Sequence, residues 1–203
     1  TKVIKAYRER IPGAVLFVNS IIPVNAHAIE NDSNYKNIPE YNEALKKMAD
    51  DLGVPFVADL DQVLAMEDIE AVMVECATTK HTEIILKAAA AKKHIFCDKA
   101  LALKSADTKK IREAVEANGV KFMLSLESKI IGCYNYATDM VRSGKLGRIT
   151  AVDFRRAHMA ALTNMLPDYW FDTEQTGGGV TLDLGCHGFY MLPQLCGKPK
   201  TVS

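Results

Sequence analysis

AVMVECATTKHTEIILKAAAAKKHIFC, residues 71–97, is the stretch whose reading decides the fold. AVMVECA (71–77) is a compact apolar run of strand length, and it predicts a strand buried on both faces. A helix is predicted from about His81 to Ala91, and HIFC (94–97) reads as the next strand. Ser105 is placed to cap a further helix that runs to about Asn118 and stops at Gly119. VKFMLS (120–125) then forms another strand. Upstream, Tyr41, Leu45, Met48 and Leu52 recur at offsets of four, three and four, one apolar stripe on a helix closed by Gly53. VLFVNSII (15–22) is a β-rich run after a helical segment ending near Pro12-Gly13, and residues 23–39 read as a long loop. Strands alternating with helices of this length predict βαβ units, so residues 1–125 are expected to form a doubly wound parallel α/β domain.

The pattern changes beyond that point. A helix is predicted over 134–143, ended by Gly144. RITAVDFRRAH (148–158) partly alternates: Val152 and Phe154 point one way, Asp153 and Arg155 the other. That spacing predicts an open antiparallel sheet with one wet face. A loop then leads to Gly177-Gly178-Gly179 and a last helix, so residues 126–203 are expected to be the start of an α+β domain.

Composition narrows the function classes. Lys plus Arg and Asp plus Glu both total 25 among 203 residues, so no net field recruits nucleic acid or an anionic membrane. No apolar stretch reaches the roughly 18 residues of a membrane span. Five cysteines (Cys76, Cys97, Cys133, Cys186 and Cys196) without CxxC pairing point to free thiols in a reducing compartment, the cytoplasm. The chain opens on Thr1 and stops at Lys-Thr-Val-Ser, and both ends are expected to be cuts in a longer protein.

Ligands of open parallel sheets bind beyond the carboxyl ends of the strands. Three such ends carry polar groups: Thr78-Thr79-Lys80-His81, Asp98-Lys99, and Ser125-Leu126-Glu127. A lysine such as Lys99 at a sheet edge can hold an alkoxide or polarise a carbonyl, or it can be a plain surface lysine in a turn. Asp183, His187 and Tyr190 make one polar stripe in the last helix. An aspartate beside a histidine suits a group that must take up a proton. The same pair could be an exposed ion pair or half of a metal site, but no CxxC or HExxH supplies further ligands, and no metal is expected. The three glycines are read as making room for a cofactor or sugar.

DLGVPFVADLDQVLAMEDIEAVMVECATTKH (51–81), KKHIFCDKALAL (92–103), GKLGRI (144–149) and GGGVTLDLGCHGFY (177–190), in this order, resemble the glucose–fructose oxidoreductase and inositol dehydrogenase (Gfo/Idh/MocA) family. The resemblance implies a Rossmann-like dinucleotide-binding domain followed by an open-faced α+β domain. It also implies an NAD- or NADP-dependent dehydrogenase acting on a sugar, polyol or similar small alcohol. By resemblance, Lys99, Asp183 and His187 are catalytic. His187 accepts the hydroxyl proton, Asp183 orients the site, and Lys99 holds the reacting hydroxyl and the nicotinamide ribose. Thr78, Thr79, His81, Asp98, Lys99 and Glu127 are expected at the cofactor, and Lys99, Tyr169, Trp170, Asp183 and His187 at the substrate.

The chain departs from the family pattern. The Glu-Lys-Pro motif reads Asp98-Lys99-Ala100, and no GxGxxG occurs anywhere. That fingerprint is expected in a segment upstream of Thr1. A homo-oligomer is expected of the full-length protein. The rival readings are a non-catalytic dinucleotide-binding regulator on the same fold, favoured by Asp-Lys-Ala, and an inactive fragment.

Overall fold

The computed structural model describes residues 5, 6, 9, 10, 18, 19, 37–57, 59–163, 166 and 168–202. For residues 18, 19, 168 and 169 that description covers the backbone only. Residues 5, 6, 9 and 10 are helical; of the predicted strand at 15–22 only Val18 and Asn19 lie within the described residues, and most of the loop at 23–39 lies outside them.

In chain order the elements are β1 (Val18–Asn19), α1 (Ile38–Asp51), β2 (Phe56–Val57), α2 (Leu60–Ala65), β3 (Ala71–Val74), α3 (Thr78–Ala90), β4 (His94–Cys97), α4 (Ser105–Asn118) and β5 (Phe122–Leu124). β1 and β2 pair in parallel, and a second parallel sheet has the order β3-β4-β5. Val74 lies opposite Cys97, and Cys97 opposite Leu124, so the three strands end together and their carboxyl ends form one edge. α2 begins where the Asp59 carboxylate accepts from the amides of Asp61 and Gln62, a side-chain N-cap. α4 ends on Gly119 at φ 65°, a left-handed conformation that a β-carbon would strain. Ser105 is the first helical residue rather than the cap, which falls on Lys104 and has no side-chain hydrogen bond.

The core is one-sided. Val74, Ile95 and Cys97 of the sheet pack with Ile85, Ala88 and Ala89 of α3, Ile111 of α4, and Leu64 and Val120. On the opposite sheet face Met73 is 51% exposed and Met123 61%. The expectation that 71–77 is buried on both faces is therefore corrected: among the described residues, no helix covers the face bearing Met73. The strand is also shorter than predicted, because Glu75 to Ala77 already turn toward α3.

Beyond β5 a 3₁₀ turn (Glu127–Lys129) leads to α5 (Gly132–Arg142). A second 3₁₀ turn (Asp168–Phe171) precedes α6 (Thr173–Thr176), α7 (Val180–Asp183) and α8 (Gly185–Cys196). Residues 148–158 form no strand, contrary to the expected antiparallel sheet, because no neighbouring strand stands beside them to complete a ladder among the described residues. The segment is instead held by side chains. Phe154 packs so closely on α8 that a β-carbon on Gly188 would come within 3.1 Å of its ring, and it meets Tyr134 with ring centroids 6.1 Å apart. No helix among the described residues is long and apolar enough to cross a membrane.

Candidate active site

Lys99 sits two residues past β4, at the shared edge of the strands. Its ammonium forms an ion pair with the Asp183 carboxylate at the end of α7, and it also reaches the Asp183 carbonyl at 3.4 Å. Both side chains are largely covered, 24% and 17% exposed, so water screens this pair less than a surface pair. The contact ties the sheet edge to the segment that carries His187.

The helix expected to run through Asp183 and His187 is broken at Leu184. Asp183 is therefore turned to Lys99, and the side-chain partner of His187 is Tyr190, with Nδ1 and the hydroxyl oxygen 2.7 Å apart. The Tyr190 hydroxyl also accepts from the Ser128 backbone N–H at 3.2 Å. His187 is 1% exposed, and its Nε2 lies 3.9 Å from a carboxylate oxygen of Glu127. Burial holds the imidazole pKa below 6.5, with the charges of Arg156 and Lys99 acting in the same direction and Glu127 and Asp183 opposing. The ring is thus neutral at pH 7, with a lone pair available to take a proton.

Glu127 closes the far side. Its carboxylate is bound at 2.5 Å by Arg156, whose other guanidinium nitrogen donates to the Ser128 hydroxyl at 3.2 Å. The hydrogen bond from Arg156 holds the Glu127 pKa below the ordinary 4.5. Two internally neutralised ion pairs, Lys99–Asp183 and Arg156–Glu127, therefore flank one uncharged imidazole. Arg156 was not singled out from sequence. Its signal is the two-residue alternation: Arg156 shares the parity of Val152 and Phe154, and Phe154 and Arg156 are half-buried while residues 151, 153, 155 and 157 are exposed.

Other expected residues divide. Thr78 and Thr79 open α3 directly beyond β3, where Ala77 offers no side-chain cap and no acid occupies the first turn. The amides at that helix start suit a phosphate oxygen. His81, by contrast, is fully buried. Its Nδ1 lies 2.9 Å from the Ala100 carbonyl and its Nε2 3.0 Å from the Cys76 carbonyl. Both ring nitrogens face backbone carbonyls and the ring is fully buried, so His81 pins the turns after β3 and β4 and presents neither nitrogen to a ligand. Cys97 beneath it is also buried, and desolvation pushes its thiol up to about 12, an inert packing sulfur. Asp98 is fixed by its amide, which donates to Val74 at 2.9 Å, and the Lys99–Ala100 peptide that follows is cis. Trp170 is half-buried on the turn before α6, and the Tyr169 side chain lies outside the described residues.

Of the glycine run, Gly177 has a different reason from the one expected. Gly177 stands at φ 67°, and a β-carbon there would meet Leu103 at 3.0–3.4 Å, including its backbone. The glycine lets the segment before α7 press against the turn after Lys99, which brings Asp183 within reach of the ammonium. Room for a ligand is not what Gly177 provides.

The sequence matches the description "Oxidoreductase family, NAD-binding Rossmann fold" over residues 30–126 and "GFO/IDH/MocA C-terminal domain" over residues 134–203. The chain belongs to the GFO/IDH/MocA oxidoreductase family. It is 25% identical over 183 residues to myo-inositol 2-dehydrogenase of Thermotoga maritima, covering 89% of this chain and 52% of that one. It is 28% identical over 131 residues to 1,5-anhydro-D-fructose reductase of Ensifer adhaerens, covering 64% and 39%. The crystal structure of an NAD-binding oxidoreductase from Klebsiella pneumoniae superposes with a TM-score of 0.65 at 22% identity, covering 75% of this chain and 41% of that one, and so shares the fold. The chain spans about half the length of the curated relatives it matches, 44% and 52% for two of them.

Within this GFO/IDH/MocA chain, Lys99 falls in the first matched module and Asp183 and His187 in the second. Glu127 and Ser128 lie between the two modules. The Lys99–Asp183 pair is thus a bond between modules. The residues present fit a dinucleotide: an uncapped helix start and a cation at the strand ends, with a buried imidazole on α8 beside them.

Proposed function

We propose that the protein is an NAD(P)-dependent oxidoreductase that oxidises a secondary alcohol of a sugar or polyol, or reduces the corresponding carbonyl. The observation that carries this reading is the buried neutral His187 beside an ammonium that bridges the two modules. When bound, the nicotinamide ring serves as hydride acceptor or donor. Lys99 holds the substrate oxygen, kept in place by Asp183. His187 takes the hydroxyl proton as the C–H electron pair leaves, so the alcohol loses a hydride and a proton and becomes a carbonyl. For the reverse reaction the imidazolium returns the proton to the oxygen.

Thr78, Thr79, Asp98, Lys99 and Glu127 form the cofactor side of this proposal, with His81 as a positioning residue behind them. Tyr169 and Trp170 form the substrate side together with Lys99, Asp183 and His187. The balanced ion pairs suit an uncharged polyol better than an anion, because an incoming anion would have to break one of them. A homo-oligomer in the cytoplasm is part of the same proposal. Support for the substrate class comes from the inositol dehydrogenase and anhydrofructose reductase among the relatives.

The test uses the full-length protein with NAD and NADP. Calorimetry is expected to detect binding of at least one of them, and His187→Asn is expected to lower turnover about 100-fold or more with cofactor affinity unchanged. A protein that binds neither dinucleotide overturns the reading. Binding of a dinucleotide without turnover on any polyol favours the regulator, for which the Asp98-Lys99-Ala100 departure speaks.

A further inference from the structure

Among the described residues, Tyr190 is the one polar group bonded to the His187 ring that the proposed chemistry leaves without a task. Its hydroxyl oxygen meets two nitrogens: the Ser128 amide, a donor at 3.2 Å, and His187 Nδ1 at 2.7 Å. The amide N–H has its hydrogen fixed by the backbone, so one lone pair of the hydroxyl is committed. The rings stand edge to face, 69° apart with centroids 5.6 Å apart, so the imidazole is wedged as well as bonded. Ser128 itself is fully buried and is tied down by Arg156, which makes its amide a fixed reference point. Lys129 lies over the Tyr190 ring, 5.8 Å from its centroid, and helps hold the ring in place.

We propose that Tyr190 is a positioning residue that selects the proton-transfer nitrogen of His187. This inference rests on the reading of His187 as the proton acceptor. In this arrangement the hydroxyl accepts N–H from both Ser128 and His187 Nδ1, using its two lone pairs, and its own hydrogen is given to solvent, which the half-buried Tyr190 can reach. The neutral ring then carries its proton on Nδ1, and Nε2 keeps the lone pair. Nε2 is the nitrogen that faces the Glu127 side of the site. When Nε2 takes up the substrate proton, the Nδ1–H bond to Tyr190 persists, so the ring neither flips nor changes partner through the cycle. A ring held this way always presents the same atom to the substrate.

An acceptor at Nδ1–H favours the imidazolium and so partly offsets the desolvation that lowers the His187 pKa. The groups facing this ring are Tyr190 on its own helix, Asp183 on α7, Glu127 and Ser128 on the 3₁₀ turn, Arg156 on the segment before the second 3₁₀ turn, and Lys99 at the sheet edge. Only Tyr190 and Ser128 are changed in partnership when the phenol oxygen is removed.

The test is nitrogen NMR of the His187 imidazole in the chain itself, so it does not depend on turnover. In the unmodified protein above the imidazole pKa, Nδ1 is expected to show the protonated, pyrrole-type resonance and Nε2 the pyridine-type one. In Tyr190→Phe the pKa is expected to fall further, and the two tautomers to mix. Nε2 carrying the proton in the unmodified protein, or a pKa that rises or stays put in Tyr190→Phe, overturns the proposal. Loss of activity in His187→Asn is a separate result: if it failed to appear, the function would fall while the tautomer assignment stood. In the full-length enzyme, the acid limb of the Tyr190→Phe rate profile should move to lower pH with KM for the cofactor unchanged. A uniform loss of rate with no movement of that limb would mark Tyr190 as packing only.

Discussion

The sheet layer of β3 to β5 and the segment from Glu127 to Cys196 hold their functional groups by opposite means. In the first, Lys99 is placed by apolar packing: parallel strands end in register, and α3 and α4 bury their stripes against one face. In the second, the strand expected at 148–158 does not form, and His187 is placed by its polar contact to Tyr190, whose hydroxyl the Ser128 amide holds in turn, beside the Arg156–Glu127 pair. A catalytic group can thus stand on a rigid edge or be guyed by hydrogen bonds, and this site joins one of each through Lys99 and Asp183. The first kind resists a lost polar contact and fails when a core methyl is lost. For the second kind the reverse holds.

The largest effect should come from the packed layer. Ile85 is fully buried among Val74, Ile95, Cys97 and Ile111, so Ile85→Ala should cost about 2–5 kcal/mol in denaturant unfolding. A loss well under that range would mean that the layer tolerates a cavity and that the contrast is overstated. Gly177→Ala should cost less, about 1–2 kcal/mol, because a left-handed residue acquires a β-carbon that crowds Leu103. It should also loosen the Lys99–Asp183 contact. Substitution of Gly53, which meets nothing within 4 Å, provides the control for conformational strain without crowding.

In the hydrogen-bonded segment, Arg156→Met should change stability by no more than about 1 kcal/mol, since its pair with Glu127 is partly exposed. It should instead show in the pH dependence. Removing the guanidinium takes away a positive charge and frees Glu127 beside the ring, and both changes raise the His187 pKa. The acid limb of the full-length protein's rate profile should therefore move to higher pH. The smallest effect concerns stability in the unmodified chain. The folded His187 pKa lies below 6.5, so the unfolded chain binds more protons in the window between them. Stability should be complete above 6.5 and decline as pH falls through that window, and His187→Gln should flatten the decline.

Much of the first layer was legible because apolar runs and helical stripes are local signals. Tyr41, Leu45 and Met48 of the stripe lie on the helix from Ile38 to Asp51, and Leu52 is its C-cap, just before Gly53. Lys99 was legible because a polar residue directly after a buried strand can only sit at the sheet edge. The partnership of Asp183 was not, because helical spacing assumes an unbroken helix and the break at Leu184 turns its carboxylate away. The role of Gly177 depended on Leu103, 74 positions away, a contact that no local pattern encodes. The surroundings of His81 are hidden for a related reason: the sequence puts it near the strand end, but only packing decides that its ring faces the backbone carbonyls of Cys76 and Ala100.

Everything in the functional account requires the ammonium of one module and the imidazole of the other to share an electrostatic environment. That is measured most directly as the His187 pKa by NMR in the unmodified chain and in Lys99→Met. Loss of the ammonium removes a charge that holds the pKa down and leaves Asp183 uncompensated nearby, so the pKa should rise toward or beyond 6.5. An unchanged His187 pKa in Lys99→Met would show that the two groups do not sense each other, and would contradict the shared site.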